Sequence, residues 1–586
     1  MWILGINNMH DASAALVCDG KVVAAAEEER FVRKKHISGF PKEAIRSCLD
    51  QAGISLKDVD AVGVSWRYWV LRHRILCAVK SAAGSMSNFR AKASRGTGQM
   101  KHEWAELFWM RNLLESNFGK GGFKLFHLDH HLCHQVSTFF PSPFERAAIL
   151  TMDGAGEEAS TVLSLGEGTK IHELKRISLP HSLGQFYAAM TGFLGFKMQA
   201  DEYKMMGLAS YGEPRFAPFF RKEVLTSLPD GDYRLNHRLL DYHLARQGGF
   251  HSDLVKVLGK PRRKEDAVES IHMDIAASAQ LVLEERIVDL ANALHRQTRV
   301  NTLCIAGGVG FNCVANGKLL FQTPFERIFI QPASGDAGTA LGAALHLYHE
   351  ASGRPRESQI SHAYLGPRFS DREALEAARS SGFPYEVLSE EALCEKVSGV
   401  LAAGRLVFWF QGRMEWGPRA LGNRSLLADP RRAQMKDLIN VKVKRREEFR
   451  PFAPSILARE SAAYFESGHP SPFMLFAFKV RPGKAALIPA TTHVDGTARP
   501  QTVDPEENGL YWKLIHSFGE KTGVPVLLNT SFNVQEPIVC TPGQAVDCFL
   551  RTQVDYLVLN NILVHRPSQG NNDPNGDQGH GRVHAV

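Results

Sequence analysis

The 586-residue chain holds no stretch of about 20 uncharged apolar residues, so a membrane-spanning helix is not expected. Its opening residues MWILGINNMHDAS lack a cationic leader and turn polar after six positions, which argues against a signal peptide. Cysteine is sparse. The nine (Cys18, Cys48, Cys77, Cys133, Cys304, Cys313, Cys394, Cys540 and Cys548) are odd in number, scattered, and never spaced as CxxC. That pattern excludes a disulfide framework and a thiolate zinc site, and it predicts reduced thiols in a cytoplasmic protein. Charge of one sign is scarce too: 69 basic against 62 acidic residues leave a net +7. So mild an excess suits an anionic small molecule as well as a nucleic acid and identifies neither; no nucleic-acid or membrane partner is expected.

What is present is an ordinary globular composition, 44% apolar and 22% charged, long enough for two large domains or up to about four small ones. WILGIN, SAALVCDG and KVVAAAEEE read as three successive strands, with Asp19-Gly20 as the tight turn between the last two. The pattern returns at RAAILTMDGAGEEASTVLSLGEGTKIHELKRI. Two such triplets, the first followed by the helical PKEAIRSCLDQAG, predict a duplicated α/β domain over residues 1–355, with its ligand in the cleft between the halves. A basic, aromatic insertion at about 67–120 interrupts it. Residues 356–367 read as a linker, 368–565 as a second α/β domain, and the Gly/Asn/Asp-rich 566–586 as a disordered tail.

Four histidines fall within HLDHHLCH, from His127 to His134. FKLFHL alternates like a strand that His127 ends; Asp129 is a good N-cap; and a helix from His130 can run to about Phe140 before Pro141 stops it. His130 and His134 then share one face, while His131 points about 100° away. Two imidazoles make a poor metal site alone. Asp153, at the end of strand AAILTMD, and Asp336, in the turn QPASGDAGTALG that opens a helix ending at Gly353, are the carboxylates best placed to join them. Imidazole plus carboxylate suits Fe(II), Mn(II) or Zn(II).

HDASAAL, EEERFVRKKH, HHLCH with FFPSPF, DEYKMMGLASYG, AGGVGFNCVANG, QPASGDAGTALG, GRMEWGPRALGNRS, FRPFAPS and NTSFN occur in one order along residues 1 to about 565. In this the chain resembles the O-carbamoyltransferases of the nodulation-factor and cephamycin type. The resemblance implies an actin-like ATPase/sugar-kinase superfold for the N-terminal domain and a YrdC-like α/β domain after it. It implies that the second domain makes carbamoyl-adenylate from carbamoyl phosphate and ATP with Mg, and that the first transfers the carbamoyl group to an alcohol of a small molecule. It implies a divalent metal, usually iron, on His130, His134, Asp153 and Asp336, the positions reached above from the residues. A homodimer is usual among similar enzymes.

Adenylate formation needs positive charge around phosphate oxygens. The run Arg413, Arg419, Arg424, Lys442, Lys444 and Arg450 supplies it, with Arg419 held in a turn by Gly417-Pro418. By resemblance, Arg419, Lys444, Arg499 and Ser531 contact carbamoyl phosphate and nucleotide, Ser531 without a covalent role. CIAGGVGFNCVANG follows a strand and opens a helix, so the N–H groups of Gly307, Gly308 and Gly310 are expected to approach an anion. The resemblance makes this the adenylate loop, with Asn312 and Asn316 as polar contacts. It also makes His10 a general base toward the acceptor hydroxyl, and Lys35 and Lys204 substrate-orienting cations. Two other readings use related domains: a threonylcarbamoyl-adenylate type enzyme acting on tRNA, which the mild charge does not favour, and a non-catalytic actin-like nucleotide sensor, which would not need the Arg-rich second domain.

Overall fold

Two stretches of chain fold to the same plan in the computed structural model, which describes residues 1–70, 99–241, 245–246 and 249–567. In the first, β1 (Trp2–Asn7), β2 (Ser13–Cys18) and β3 (Lys21–Glu27) form an antiparallel meander. Asp19 and Gly20 both take positive φ in its tight turn, the geometry that lets a two-residue loop follow the twist of a hairpin. Parallel strands β4 (Ala61–Val64) and β5 (Lys124–His127) then extend the sheet from β1, giving the order β3-β2-β1-β4-β5.

The second stretch repeats this with β6 (Arg146–Met152), β7 (Ala159–Glu167) and β8 (Lys170–Ser178). A small hairpin, β9 (Leu225–Ser227) with β10 (Tyr233–Leu235), and the helix Ser270–Thr298 intervene before β11 (Thr302–Ala306) and β12 (Arg327–Ile330). The order β12-β11-β6-β7-β8 is the first sheet's order with each strand replaced by its counterpart. Each sheet ends in a helix: His130–Phe139 after β5 and Ala337–Ser352 after β12. These two helices pack on each other between the sheets. Glycine makes the approach possible, since a Cβ at Gly5 would overlap the Ala340 carbonyl and one at Gly342 the Cys133 carbonyl.

The C-terminal part is built on one eight-stranded mixed sheet. Its strands are β13 (Tyr385–Val387), β14 (Val407–Phe410), β15 (Arg424–Ala428), β16 (Ala453–Leu457), β19 (Gln501–Val503), β20 (Val526–Ser531), β21 (Tyr556–Leu559) and β22 (Ile562–His565), in the order β13-β22-β21-β14-β15-β20-β16-β19. A short pair, β17 (Phe478–Lys479) with β18 (Thr497–Ala498), stands apart. The run VFWF of β14 is buried on both faces. Phe408 and Phe410 enter one core, Val407 and Trp409 the other, as expected of a strand covered by helices on both sides. The predicted helix of EEALCEKVSGVLAAG forms over Glu390–Ala402.

The stretch read as a linker holds no helix or strand, yet it lies pinned to the paired sheets. Within it, Arg356 donates to the Phe139, Phe140 and Phe144 carbonyls, and the Leu365 carbonyl accepts from the Ala25 N–H. Of the insertion at 67–120, residues 71–98 lie outside the described residues, as do 568–586 of the tail. Among the described residues no helix is long and apolar enough to cross a membrane.

Candidate functional site

The helix His130–Phe139 starts where expected. Asp129 caps it by accepting the Leu132 N–H at 2.9 Å, and His127 closes β5. A second carboxylate, Glu157, accepts the His130 N–H at 3.0 Å and the Arg67 N–H at 2.9 Å. Arg67 bridges both acids, its guanidinium 2.5 Å from Asp129 and 3.3 Å from Glu157. Of the side chains that fix the start of the helix, Asp129 was expected and Glu157 and Arg67 were missed; a Glu in a Gly-rich turn carries no signal of its own.

His130 and His134 reach into one hollow, their Nε2 atoms 3.1 Å apart. His130 Nε2 lies 3.7 Å from an Asp153 oxygen and 3.6 Å from Asp336, and His134 Nε2 lies 3.8 Å from Asp336. Duplication explains the meeting. Asp153 follows the first strand of the second sheet, and Asp336 begins the helix that packs on the histidine helix. Ligands about 2.1 Å from a shared centre sit roughly 3.0–3.4 Å from one another, so these separations fit a metal after a small contraction. His131 is turned away, as expected, onto Thr151 Oγ1 at 2.9 Å and the Ala159 carbonyl at 3.2 Å.

The four groups cannot agree on charge among themselves. Burial opposes the His130 cation, but Asp336 and Asp153 override it and push the imidazole up to about 10. Burial and the neighbouring His130 hold His134 well below its ordinary value. Burial and Asp153 raise Asp336, whereas Asp153, despite burial, is held well down by the two imidazoles. One buried divalent cation would resolve all four. Among the described residues the Nδ1 atoms of both histidines have no hydrogen-bond partner, a departure from the usual second hydrogen bond of a metal-ligating imidazole.

The glycine loop corrects an expectation. It does follow β11 and lead into the helix Cys313–Gln322, but its N–H groups are spent on the protein. Gly307 donates to the Ser334 carbonyl at 2.7 Å, Gly308 to Asp153 Oδ1 at 3.0 Å, and Gly310 to the Gly307 carbonyl at 2.8 Å. Gly308 thus supports a cage carboxylate rather than an anion. Asn312 caps the helix and exchanges two hydrogen bonds with Gln280, and Asn316 donates to the Gly310 and Leu475 carbonyls.

His10 stands in the field of the cage carboxylates Asp336 and Asp153. Its Nδ1 faces Asp11 Oδ2 at 3.2 Å and its Nε2 faces the Gln199 carbonyl at 3.1 Å. Enclosure alone would lower the imidazole, but Asp11, helped by Asp336 and Asp153, pushes it up to about 10.

A third cluster lies where the paired sheets meet the C-terminal part. Lys444 is buried, donating to the Ser531 carbonyl, to Asn533 Oδ1 at 2.8 Å and to the Asn533 carbonyl at 2.8 Å. No carboxylate is among these partners. Burial, with Arg446 beside it, drives its ammonium far below the ordinary value. Ser531 accepts from Lys444 at 3.3 Å and donates to Asn533 Oδ1 at 2.8 Å. Burial and the nearby Arg499 bring Arg419 down to about 9, and burial and Arg450 bring Arg446 to about 9. Arg499 is lowered by burial too.

The other sheets contribute to this cluster. Lys35 lies in the field of Glu29, Arg450 and Arg30. Tyr203 takes the Arg450 guanidinium over its ring at 4.7 Å, and Lys204 pairs with Glu447 at 3.1 Å and Asp201 at 3.3 Å. Three members of the predicted basic run stand elsewhere. Arg413 ties the parts together through the Val23, Leu365 and Gly366 carbonyls, Arg424 is buried among carbonyls over Phe410, and Lys442 is exposed. Arg446 and Tyr203 were missed, although Arg446 sits two residues from Lys444.

Comparison with known proteins adds the following. Residues 2–345 match the family description "Carbamoyltransferase N-terminus" and residues 398–566 match "Carbamoyltransferase C-terminus". The nodulation protein NolNO of Sinorhizobium fredii is 39% identical over 95% of this chain and 79% of its own length. The 3'-hydroxymethylcephem-O-carbamoyltransferase of Amycolatopsis lactamdurans is 37% identical over 57% of this chain and 58% of its own. Among solved structures, component A of (R)-2-hydroxyglutaryl-CoA dehydratase from Acidaminococcus fermentans aligns with a TM-score of 0.33 at 17% identity, over 60% of this chain and 99% of that one.

Proposed function

Because the chain belongs to the carbamoyltransferase family, we propose that it is an ATP-dependent O-carbamoyltransferase whose two half-reactions occupy its two clusters. The observation that carries this reading is a buried cationic pocket without a carboxylate on its central lysine, beside an enclosed pair of imidazoles and carboxylates. The paired sheets are then an actin-like ATPase/sugar-kinase unit, supported by their matching strand order, and the eight-stranded unit is YrdC-like.

In the cationic pocket, carbamoyl phosphate and Mg-bound ATP give carbamoyl-adenylate, phosphate and pyrophosphate. Lys444, Arg419, Arg499 and Arg446 neutralise the phosphate oxygens, and desolvation strengthens each contact. Ser531 donates to a phosphate oxygen once it is released from Asn533. Carbamoyl-adenylate then passes to the paired sheets. There an alcohol oxygen gives up its proton and forms a bond to the carbamoyl carbon, the bond from that carbon to the AMP oxygen breaks, and AMP leaves with the electron pair and takes up the proton. A divalent metal on His130, His134, Asp153 and Asp336, Fe(II) in our reading, supplies Lewis acidity when bound. Arg67 and Glu157 hold the histidine helix in place, and the covered site keeps water from the intermediate. The cephem relative acts, by its name, on a hydroxymethyl group, which supports a small-molecule alcohol as acceptor.

The test separates the half-reactions. Lys444→Ala is expected to abolish carbamoyl phosphate-dependent ATP–pyrophosphate exchange yet transfer from supplied carbamoyl-adenylate; His130→Ala is expected to do the reverse. Loss of the same half-reaction in both variants would sink the scheme.

A further inference from the structure

Three successive glutamates close β3 and open the short helix Glu29–Val32, and each goes to a different place. Glu28 accepts the Glu43 and Ala44 N–H groups at 3.1 and 2.7 Å, at the start of the helix Lys42–Ala52. Glu29 accepts the His36 N–H at 3.1 Å. Glu27 instead reaches out of the paired sheets. It accepts the Gly417 N–H at 2.9 Å and pairs with Arg30 at 3.1 Å, while Arg30 donates to the Gly417 carbonyl at 2.5 Å. Both backbone polar groups of Gly417 are thus held by one ion pair from the other end of the chain. Just beyond the same helix, Arg33 donates to the Pro537 and Ile538 carbonyls, in the loop that follows Ser531 and Asn533.

Gly417 opens the turn that carries Arg419. Its φ of 107° suits glycine, Pro418 fixes the next φ, and a Cβ at Gly417 would overlap the Pro332 carbonyl in the loop leading to Asp336. Arg419 itself has little else to aim it. Its Nε has no hydrogen-bond partner among the described residues, and the charged side chains beside it, Arg499 and Arg450, are cations. Its direction therefore follows from the backbone that carries it. Glu415 holds the far side of this turn from within the loop, and the Glu27–Arg30 pair holds the near side from outside it. Stability does not explain the pair. Both side chains are buried, and burial pushes the Glu27 carboxyl up to about 7 even beside Arg30. A buried ion pair adds little over apolar side chains of the same volume, although losing one partner alone is costly.

We propose that Glu27 and Arg30 are positioning residues for adenylate formation: by gripping the Gly417 backbone they aim Arg419 at the phosphate of carbamoyl phosphate. The first strand triplet then completes a pocket carried by the C-terminal part. The inference rests on the two-site reading above. The pair itself touches no substrate, and its effect runs through one turn, so that effect vanishes where Arg419 is absent. A mere loss of positive charge near the pocket would act on the phosphate directly and would persist without Arg419.

The test uses the full chain and two readouts. One is carbamoyl phosphate-dependent ATP–pyrophosphate exchange; the other is calorimetric binding of phosphonoacetamide, in which CH₂ replaces the bridging oxygen of carbamoyl phosphate. Glu27→Leu/Arg30→Met removes the pair as a unit and is expected to leave Tm at or above that of the wild type. It should nevertheless weaken phosphonoacetamide binding and raise the KM for carbamoyl phosphate, each by about 10–100-fold. Added to Arg419→Ala, it should weaken binding by no more than about 2-fold further. Arg30→Lys keeps the charge, but one ammonium cannot hold Glu27 and the Gly417 carbonyl as the guanidinium fork does, and about tenfold of the loss should remain. Arg30→Lys alone decides the matter should the double variant not fold. Wild-type affinity and KM in either variant would overturn the proposal, as would a full loss on top of Arg419→Ala. A wild type that neither exchanges nor binds phosphonoacetamide sinks the functional reading and the proposal with it; a wild type that does both leaves the variants to judge the proposal alone.

Discussion

The cage in the paired sheets and the pocket around Lys444 are both buried and both charged, but they manage that charge in opposite ways. Cage members differ in sign, so protons distribute among them: His130 goes up, His134 down, Asp153 down and Asp336 up. Members of the pocket share a sign. Burial first, and neighbouring cations after it, push Lys444, Arg419, Arg446 and Arg499 all downward. A site of mixed sign is tolerable empty and tightens around a cation. A site of one sign costs stability until an anion arrives, and such a cost is common where binding matters more than stability.

The largest effect should come from removing the unpaired charge. Lys444→Met is expected to lower carbamoyl phosphate-dependent exchange by about 10²–10³-fold. The same variant should raise ligand-free stability by about 1–3 kcal/mol, seen as a higher Tm. The sign of its pH dependence follows. The folded lysine sits below the unfolded value of 10.5, so the unfolded state binds the extra proton, and ligand-free stability should climb as pH rises toward that value. Lys444→Met should flatten that climb; a steeper one would contradict the unpaired-lysine account.

Next in size, Asp336→Asn should weaken metal binding by more than the roughly 10–100-fold typical of outer-sphere partners, measured by equilibrium dialysis with Zn(II). Arg67→Ala removes the bridge between Asp129 and Glu157 rather than a ligand, and should fall within that 10–100-fold range. If Arg67→Ala weakened the metal as much as Asp336→Asn, the helix start rather than the ligand set would govern the site.

Smaller again is Gly317→Ala. A Cβ there would overlap the Ala477 carbonyl where the helix Cys313–Gln322 meets the C-terminal part, and a loss of about 1–3 kcal/mol in urea unfolding is expected. Smallest is Arg221→Ala. Its 2.6 Å pair with Glu285 is partly exposed on the surface, and a change under about 1 kcal/mol is expected.

The histidine helix was readable in detail, because an N-cap aspartate, a stop at Pro141 and the four-residue spacing of His130 and His134 are all local. Duplication was readable for the same reason, since each strand triplet announces itself by alternation and turns. The glycine loop misled because its pattern predicts a turn correctly but says nothing of who accepts its N–H groups, and here Asp153 and Ser334 do. The basic run misled likewise. Arg413, Arg419 and Arg424 look alike as letters, yet Glu415, by accepting the Leu421, Asn423 and Arg424 N–H groups, folds the loop so that they part ways.

Taken alone, the order of residues determined the elements, the repeated sheet and the four donors of the cage, since each depends on spacing within a strand or a helical turn. Only the tertiary structure decided which donors were already engaged. It turned Gly308 to a carboxylate and brought Glu157 onto the His130 and Arg67 N–H groups. Hydrogen bonds between residues far apart in the chain are set by how the sheets pack, and no local pattern records them.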